Sequence, residues 1–267
     1  ERGIEPPTEP ISIEQLMELS EQLTFDRDGD GRTDVYGYGL LGARLSSHLF
    51  NMVFSKLGGQ WVDLESNLII DQYRDQFVEA LVYMRDIAEF TPGGATAAVG
   101  RTYEGTRALF AQERVAMTVD VNELGAVVDD LAPDVREKLG FMQVDFGFIA
   151  LDGLILGKTD HRDEAFEFVK FATARDQLVR INDAVGLVTP RNDVANHPMV
   201  ASDENEVTLA DQISLPSNAI HPGGLLTQYG ELRPAVWDAV AEVLLGGDPG
   251  EAADKAIERM TKQFAQQ

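Results

Sequence analysis

No cysteine occurs among the 267 residues, so disulfides, thiolate zinc sites and cysteine nucleophiles are excluded within this chain. Histidine is scarce: His48, His161, His197 and His221 share no common spacing, and no H-E-x-x-H pattern joins them. A G-x-S-x-G nucleophile elbow is also missing. Positive charge is in deficit, with 22 Lys and Arg against 45 Asp and Glu; the formal net charge of −23 repels nucleic acid and anionic membranes and excludes the former as a natural partner. No apolar run approaches the ~18 residues that a membrane helix needs. The opening ERGIEPPTEP is polar and proline-rich, without the basic and apolar regions of a signal peptide. Tryptophan is limited to Trp61 and Trp237, and local pattern favours packing for both: Trp61 follows Gly58-Gly59 in a hairpin-like stretch, with stacking on a ligand as its alternative, and Trp237 shares an apolar helix face with Val236 and Val240.

What remains is an ordinary globular composition, 44% apolar with a mean hydropathy of −0.16. The acids are scattered through helical stretches rather than gathered in a tail, so they read as solvated faces of the kind salt adaptation produces. Their abundance makes any glycosidase-like pair uninformative, and an acidic hydrolase is only a third reading.

Ser12 and Gln15 form a capping-box pattern, and Ile13, Leu16, Leu19 and Leu23 follow at helical spacing, predicting a helix over 12–24. Further helices are predicted through SSHLFNMVFSKL, over 72–89, 103–112, 163–173, 176–185 and 232–246, and over 249–264 with Asp248 as cap and Pro249 in the first turn. QWVDLESNLII reads as a hairpin, RVAMTVD (114–120) and GFIALDGLILG (147–157) as strands, and 91–100 and 196–224 as loop. Many helices, few strands and no repeat give an α/β or α+β class with helix-rich packing.

Two stretches imitate nucleotide motifs. Gly37, Gly39 and Gly42 satisfy G-x-G-x-x-G, yet only Val35 and Tyr36 separate them from the preceding aspartates, too few for the buried strand that the fingerprint requires. GLILGKT, from Gly153 to Thr159, is one residue short of a phosphate loop, and Leu154, Ile155 and Leu156 predict a core strand ending at Gly157. Just before the glycines, Asp26, Asp28, Asp30 and Asp34 occupy positions 1, 3, 5 and 9 of a calcium loop, with Gly31 at the sharp turn. Position 12 is Gly37, so the bidentate carboxylate is missing. A structural Ca²⁺ site and a solvated acidic turn are the two readings this leaves.

Five stretches, taken in order, resemble the maltose-type, sugar-binding family of extracellular solute-binding proteins of ABC importers. These are GIEPPTEPISIEQLMELSEQLT, DRDGDGRTDVYGYGL, LFAQERVAMTVD, DEAFEFVKFATARDQLVRINDAVGLVTPRNDV and RPAVWDAVAEVLLGGDPGEAADKAIERM, which together span residues 3 to 264. Ile13 stands where the family usually has tryptophan, Glu113 where it has glycine, and Glu123 where tryptophan is frequent.

The resemblance implies an α/β, periplasmic-binding-protein-like fold, with residues 1–267 forming a helix-rich C-terminal lobe and hinge-returning segments and the N-terminal lobe mostly absent. It implies no catalysis. The expected partners are a small-molecule solute, a carbohydrate in this family, and the membrane permease of an ABC importer. The expected location is extracytoplasmic, periplasmic or lipid-anchored at the cell surface, with the export signal outside this chain. Two lobes hinging shut around the solute would be the mechanism. Position within the family pattern nominates Ser46, Ser47, His48 and Asn51 at the start of one helix, then Asn122 and Glu123, Asp152 and Gly153, and the segment from Tyr229 to Arg233. Alternative roles are capping or solvent exposure for His48 and Asn51, core packing for Tyr229, and a helix start at Arg233-Pro234. A calcium-stabilised acidic extracellular interaction domain is the competing reading of the whole chain.

Overall fold

The computed structural model describes residues 2–120, 124–150, 153–186, 188–189, 191–202 and 204–266. In chain order the elements are α1 (Ile13–Gln22), β1 (Tyr36–Tyr38), α2 (Ser47–Lys56), α3 (Arg74–Ile87), α4 (Gly94–Ala98), α5 (Tyr103–Ala111) and β2 (Val115–Met117). Then follow α6 (Leu124–Leu131), α7 (Pro133–Arg136), β3 (Phe148–Ile149), α8 (Arg162–Ala172) and α9 (Arg175–Val185). The remainder is α10 (Asn192–Ala195), α11 (Pro198–Ala201), α12 (Glu204–Ser214), β4 (Ala219–Ile220), α13 (Pro222–Leu225), α14 (Tyr229–Leu244) and α15 (Pro249–Phe264). No described helix is long and apolar enough to cross a membrane. The chain divides into two units. One comprises Glu1–Val119, Val144–Ala150 and Pro216–Gln267; the other comprises Asp120–Gln143 and Leu151–Leu215.

The first unit is built on α2, α3, α14 and α15, which pack against one another. On α3, Phe77, Leu81 and Met84 recur at i, i+4 and i+7 and are wholly buried, as helical periodicity demands of a core-facing stripe. Phe50 and Phe54 of α2 meet Phe77 at centroid distances of 4.7 and 5.9 Å in tilted and edge-on geometry, the arrangements favoured by aromatic quadrupoles. The predicted start of α1 is present in both halves: Ser12 accepts from the Gln15 N–H, and the Gln15 side chain accepts from the Ser12 N–H at 2.9 Å. Asp248 caps α15 through the Glu251 N–H at 2.9 Å.

Strands β1 and β2 pair in parallel, Tyr36 with Val115 and Tyr38 with Met117. A parallel pair needs a long crossover, here the segment containing α2 to α5. Close approach of backbone from other segments explains two of the glycines that mimic a nucleotide fingerprint. A Cβ on Gly37 would sit 1.9 Å from the Ser20 carbonyl oxygen of α1, and one on Gly42 would sit 2.1 Å from the Arg101 carbonyl oxygen. Glycine is there so that backbone can touch backbone. Glu113, which replaces the family's glycine before β2, has φ of +54°, a left-handed conformation that accounts for the usual residue.

Several predicted boundaries change. The strand expected over 114–120 is three residues long. In the loop expected over 91–100, the alanine-rich stretch after Gly93 turns into α4, because alanine is the best helix former. Of the strand expected over 147–157, only Phe148 and Ile149 pair, with Ala219 and Ile220. Leu154 and Ile155 are 53% and 93% exposed, so the predicted core strand there is wrong; the chain leaves the first unit after Ala150. The stretch 196–224 contains α11, α12, β4 and α13 rather than loop alone. Helix α14 begins a turn earlier than predicted and carries Pro234 inside it.

The second unit holds α6 to α12 around a small cluster of Val179, Val194 and Val200. Its α8 buries no residue, and Phe166, Phe168 and Phe171 are 49%, 61% and 59% exposed.

Gly37→Ala is expected to destabilise the chain by about 3 kcal/mol or more, since a methyl group against backbone has nowhere to move. Urea unfolding followed by circular dichroism reads the loss; an unchanged midpoint would show that α1 and β1 can separate without cost.

Candidate functional site

The aspartate loop folds on its own backbone. Asp26 accepts from the Gly29 and Gly31 N–H groups at 2.6 and 2.7 Å, Asp28 from Asp30 N–H at 3.0 Å, Asp30 from Arg32 N–H at 2.8 Å, and Asp34 from Arg27 N–H at 2.8 Å. The donors at Gly31 and Gly29 hold the Asp26 carboxyl below its ordinary range. Oxygens of Asp26, Asp28 and Asp34 lie within 4.8 Å of one another, and Asp30 is not in that group. Gly37, at position 12, lies in β1 and offers no side chain.

A second constellation lies wholly within the first unit. The start of α2 supplies Ser46, Ser47, His48 and Asn51, and the start of α14 supplies Tyr229 and Arg233. Asn51 is 1% exposed, which excludes the solvent-facing role; its amide donates to the Tyr229 hydroxyl at 2.8 Å and accepts from the Trp61 indole N–H at 3.2 Å. Trp61 meets Tyr229 edge-on at 5.1 Å. Above this buried layer sits an aromatic group that is only partly buried. His221 packs edge-on against Tyr229 at 5.0 Å, Phe148 lies 5.0 Å from His221, and His48 stacks on Phe148 at 5.6 Å with ring planes 20° apart. The short parallel pair of β3 and β4 brings Phe148 and His221 together.

Beside this group, the Trp237 indole N–H donates to the Ser47 hydroxyl at 3.2 Å. The guanidinium carbons of Arg44 and Arg233 lie over the Trp237 ring, 5.0 and 4.9 Å from its centroid. Trp237 is therefore not a core residue as its helical face implied: it is partly exposed and holds two cations. Nε of Arg233 is buried without a hydrogen-bond partner. Burial first, then the nearby His48 and Arg233, push His221 down to about 4, and burial raises Tyr229.

Six nominated residues thus converge: Ser46, Ser47, His48, Asn51, Tyr229 and Arg233. Ser46 is spent locally, donating to the Ala43 carbonyl at 3.1 Å. Gly153 is exposed and belongs to the second unit. Asn122, Glu123 and Asp152 lie outside the described residues. Sequence reasoning missed Arg44, Phe148 and His221, and gave Trp237 to the core; its preference for packing at Trp61 agrees with that ring's burial. Arg233 and Trp237 stand at i and i+4 on one helix, a readable signal; His221, in an aperiodic stretch, had none.

The fold is that of the periplasmic binding proteins. An ABC transporter solute-binding protein from Thermotoga lettingae, bound to α-D-tagatose, superposes with a TM-score of 0.78 at 22% identity, over 98% of this chain and 67% of that one. The maltose/maltodextrin-binding domain MalE of Bdellovibrio bacteriovorus, bound to maltotriose, gives 0.73 at 17% identity, over 98% and 68%. The chain belongs to the bacterial extracellular solute-binding protein family, whose model matches residues 3–178. A curated relative, the arabinooligosaccharide-binding protein of Halalkalibacterium halodurans, is 25% identical over 173 residues, 59% of this chain and 37% of that protein. The chain therefore matches little more than a third of that relative's length.

His221 is expected to titrate near pH 4 rather than 6.5. Because the folded state resists protonation, this group's contribution to stability is complete above the unfolded value near 6.5 and is lost as pH falls from there towards 4. An NMR titration of the imidazole carbon-bound protons checks it; a midpoint near 6.5 would mean that the ring is solvated.

Proposed function

We propose that this chain is part of a solute-binding component of an ABC importer that takes up a carbohydrate, with the α2–α14 constellation forming part of the sugar site. One observation carries the reading: two guanidiniums fixed on Trp237 stand beside the partly exposed His48–Phe148–His221 group. Sugar recognition needs both elements, fixed donors for hydroxyls and aromatic faces for C–H groups. Family membership and the sugar ligands of the structural neighbours support it. Delivery to a membrane permease, and a periplasmic or surface-anchored location, follow as part of the same proposal. So does the assignment of the chain to one lobe with hinge-returning segments.

Titration calorimetry against arabino-oligosaccharides, malto-oligosaccharides, hexoses and polyols tests it. At least one is expected to bind, and His48→Ala to weaken it about tenfold, the weight of one aromatic contact. Equal affinity in the variant would remove this constellation from the sugar site.

The aspartate loop is proposed as a weak structural Ca²⁺ site, supported by the approach of Asp26, Asp28 and Asp34. Millimolar Ca²⁺ is expected to raise the melting temperature of the chain and to lose that effect in Asp26→Asn. No shift would leave the loop a solvated turn.

A further inference from the structure

At the proposed sugar site two guanidiniums, of Arg44 and Arg233, share one indole, that of Trp237. Acids outnumber bases 45 to 22, and several basic side chains elsewhere are ion-paired: Arg74 with Asp254, Arg191 with Asp193, Arg259 with Asp238 and Lys255 with Glu242. Arg44 and Arg233 are not matched. Among the described residues neither has a carboxylate within ion-pair distance; each lies over Trp237 instead, and Nε of Arg233 is buried with no acceptor.

Holding two like charges on one indole without a counter-ion is unfavourable by mutual repulsion, and a buried guanidinium nitrogen without an acceptor forfeits its hydration. The neighbouring acids do not relieve this. Asp238 is engaged by Arg259, and Glu231 lies two residues from Arg233 on α14, a spacing at which side chains do not face each other. The titratable groups near Arg233 include Tyr229 and His221, with His48 beside His221, and the N-terminus of α2 opens at Ser47, whose hydroxyl receives the Trp237 N–H. Among the described residues, Arg44, Arg233, His48, His221 and the α2 N-terminus bring positive or neutral groups together here. The proton affinity of His221 is lowered mainly by burial, and His48 and Arg233 lower it further.

We infer that the solute of this site is an anionic saccharide, a sugar carrying a carboxylate or phosphate whose oxygens are received by the Arg44 and Arg233 guanidiniums. The inference rests on the carbohydrate reading above and specifies its charge class. Guanidinium forks match either oxyanion in bidentate geometry, and Trp237 holds both in place before the solute arrives. In a chain of net charge −23, such a site also works against the general repulsion of an anion, which a neutral sugar would not require.

The test pairs sugars that differ only in charge: galacturonate with galactose, and glucose 6-phosphate with glucose, titrated calorimetrically into the 267-residue chain, with inorganic phosphate as control. At least one acidic member is expected to bind about tenfold more tightly than its neutral partner. That advantage should shrink between about 20 and 200 mM salt as screening grows. Which acid wins separates carboxylate from phosphate. In the Arg44→Gln and Arg233→Gln variants the acid-to-neutral ratio should fall towards one. Neutral sugars binding as tightly as acidic ones would overturn this inference and leave the carbohydrate reading standing. Inorganic phosphate binding as tightly as the sugar phosphate would overturn it too, and binding of no saccharide by the folded chain would remove both.

Discussion

The buried amide of Asn51 is the interaction on which the candidate site depends. Its oxygen accepts from Trp61 and its nitrogen donates to Tyr229, so one side chain ties together positions 10 and 178 residues away along the chain. A buried amide is costly unless both ends are satisfied, and here both are. The pair of bonds fixes the start of α14 against α2. Everything exposed at the site then rides on that layer: His221 leans on Tyr229, Phe148 on His221, and His48 on Phe148.

This layered construction separates rigidity from recognition. The helical core below, with Phe50, Phe54 and Phe77 in mutual contact, sets the position of α2; the polar layer sets its rotation relative to α14; the upper groups are left partly accessible. A site supported in this way holds its donors without rearrangement, which lowers the ordering cost of binding a flexible, heavily hydrated solute. The second unit is differently made. Its small valine cluster and the exposed phenylalanines of α8 leave much apolar surface in water, so its packing contributes less per residue.

Much of the fold was legible. Eight predicted helices have counterparts, and α15 matches at both ends because Asp248, Pro249 and the apolar stripe agree. The strands were not legible in length, since two- and three-residue ladders carry too little alternation to bound. Family resemblance placed Ser47, His48, Asn51, Tyr229 and Arg233 at one site. It could not reveal that Asn51 and Tyr229 bond each other beneath it, nor that Trp237 faces two arginines rather than the core.

By itself the sequence determined eight of the helical segments, that the chain is strongly acidic and cysteine-free, and that no nucleotide fingerprint is present, because each follows from local spacing or plain composition. Only the tertiary structure decided why Gly37 and Gly42 are glycine, which polar residues are buried supports, and where unmatched positive charge gathers. Those are properties of contacts between residues far apart in the chain. Pattern along one strand or helix carries no record of what lies across from it.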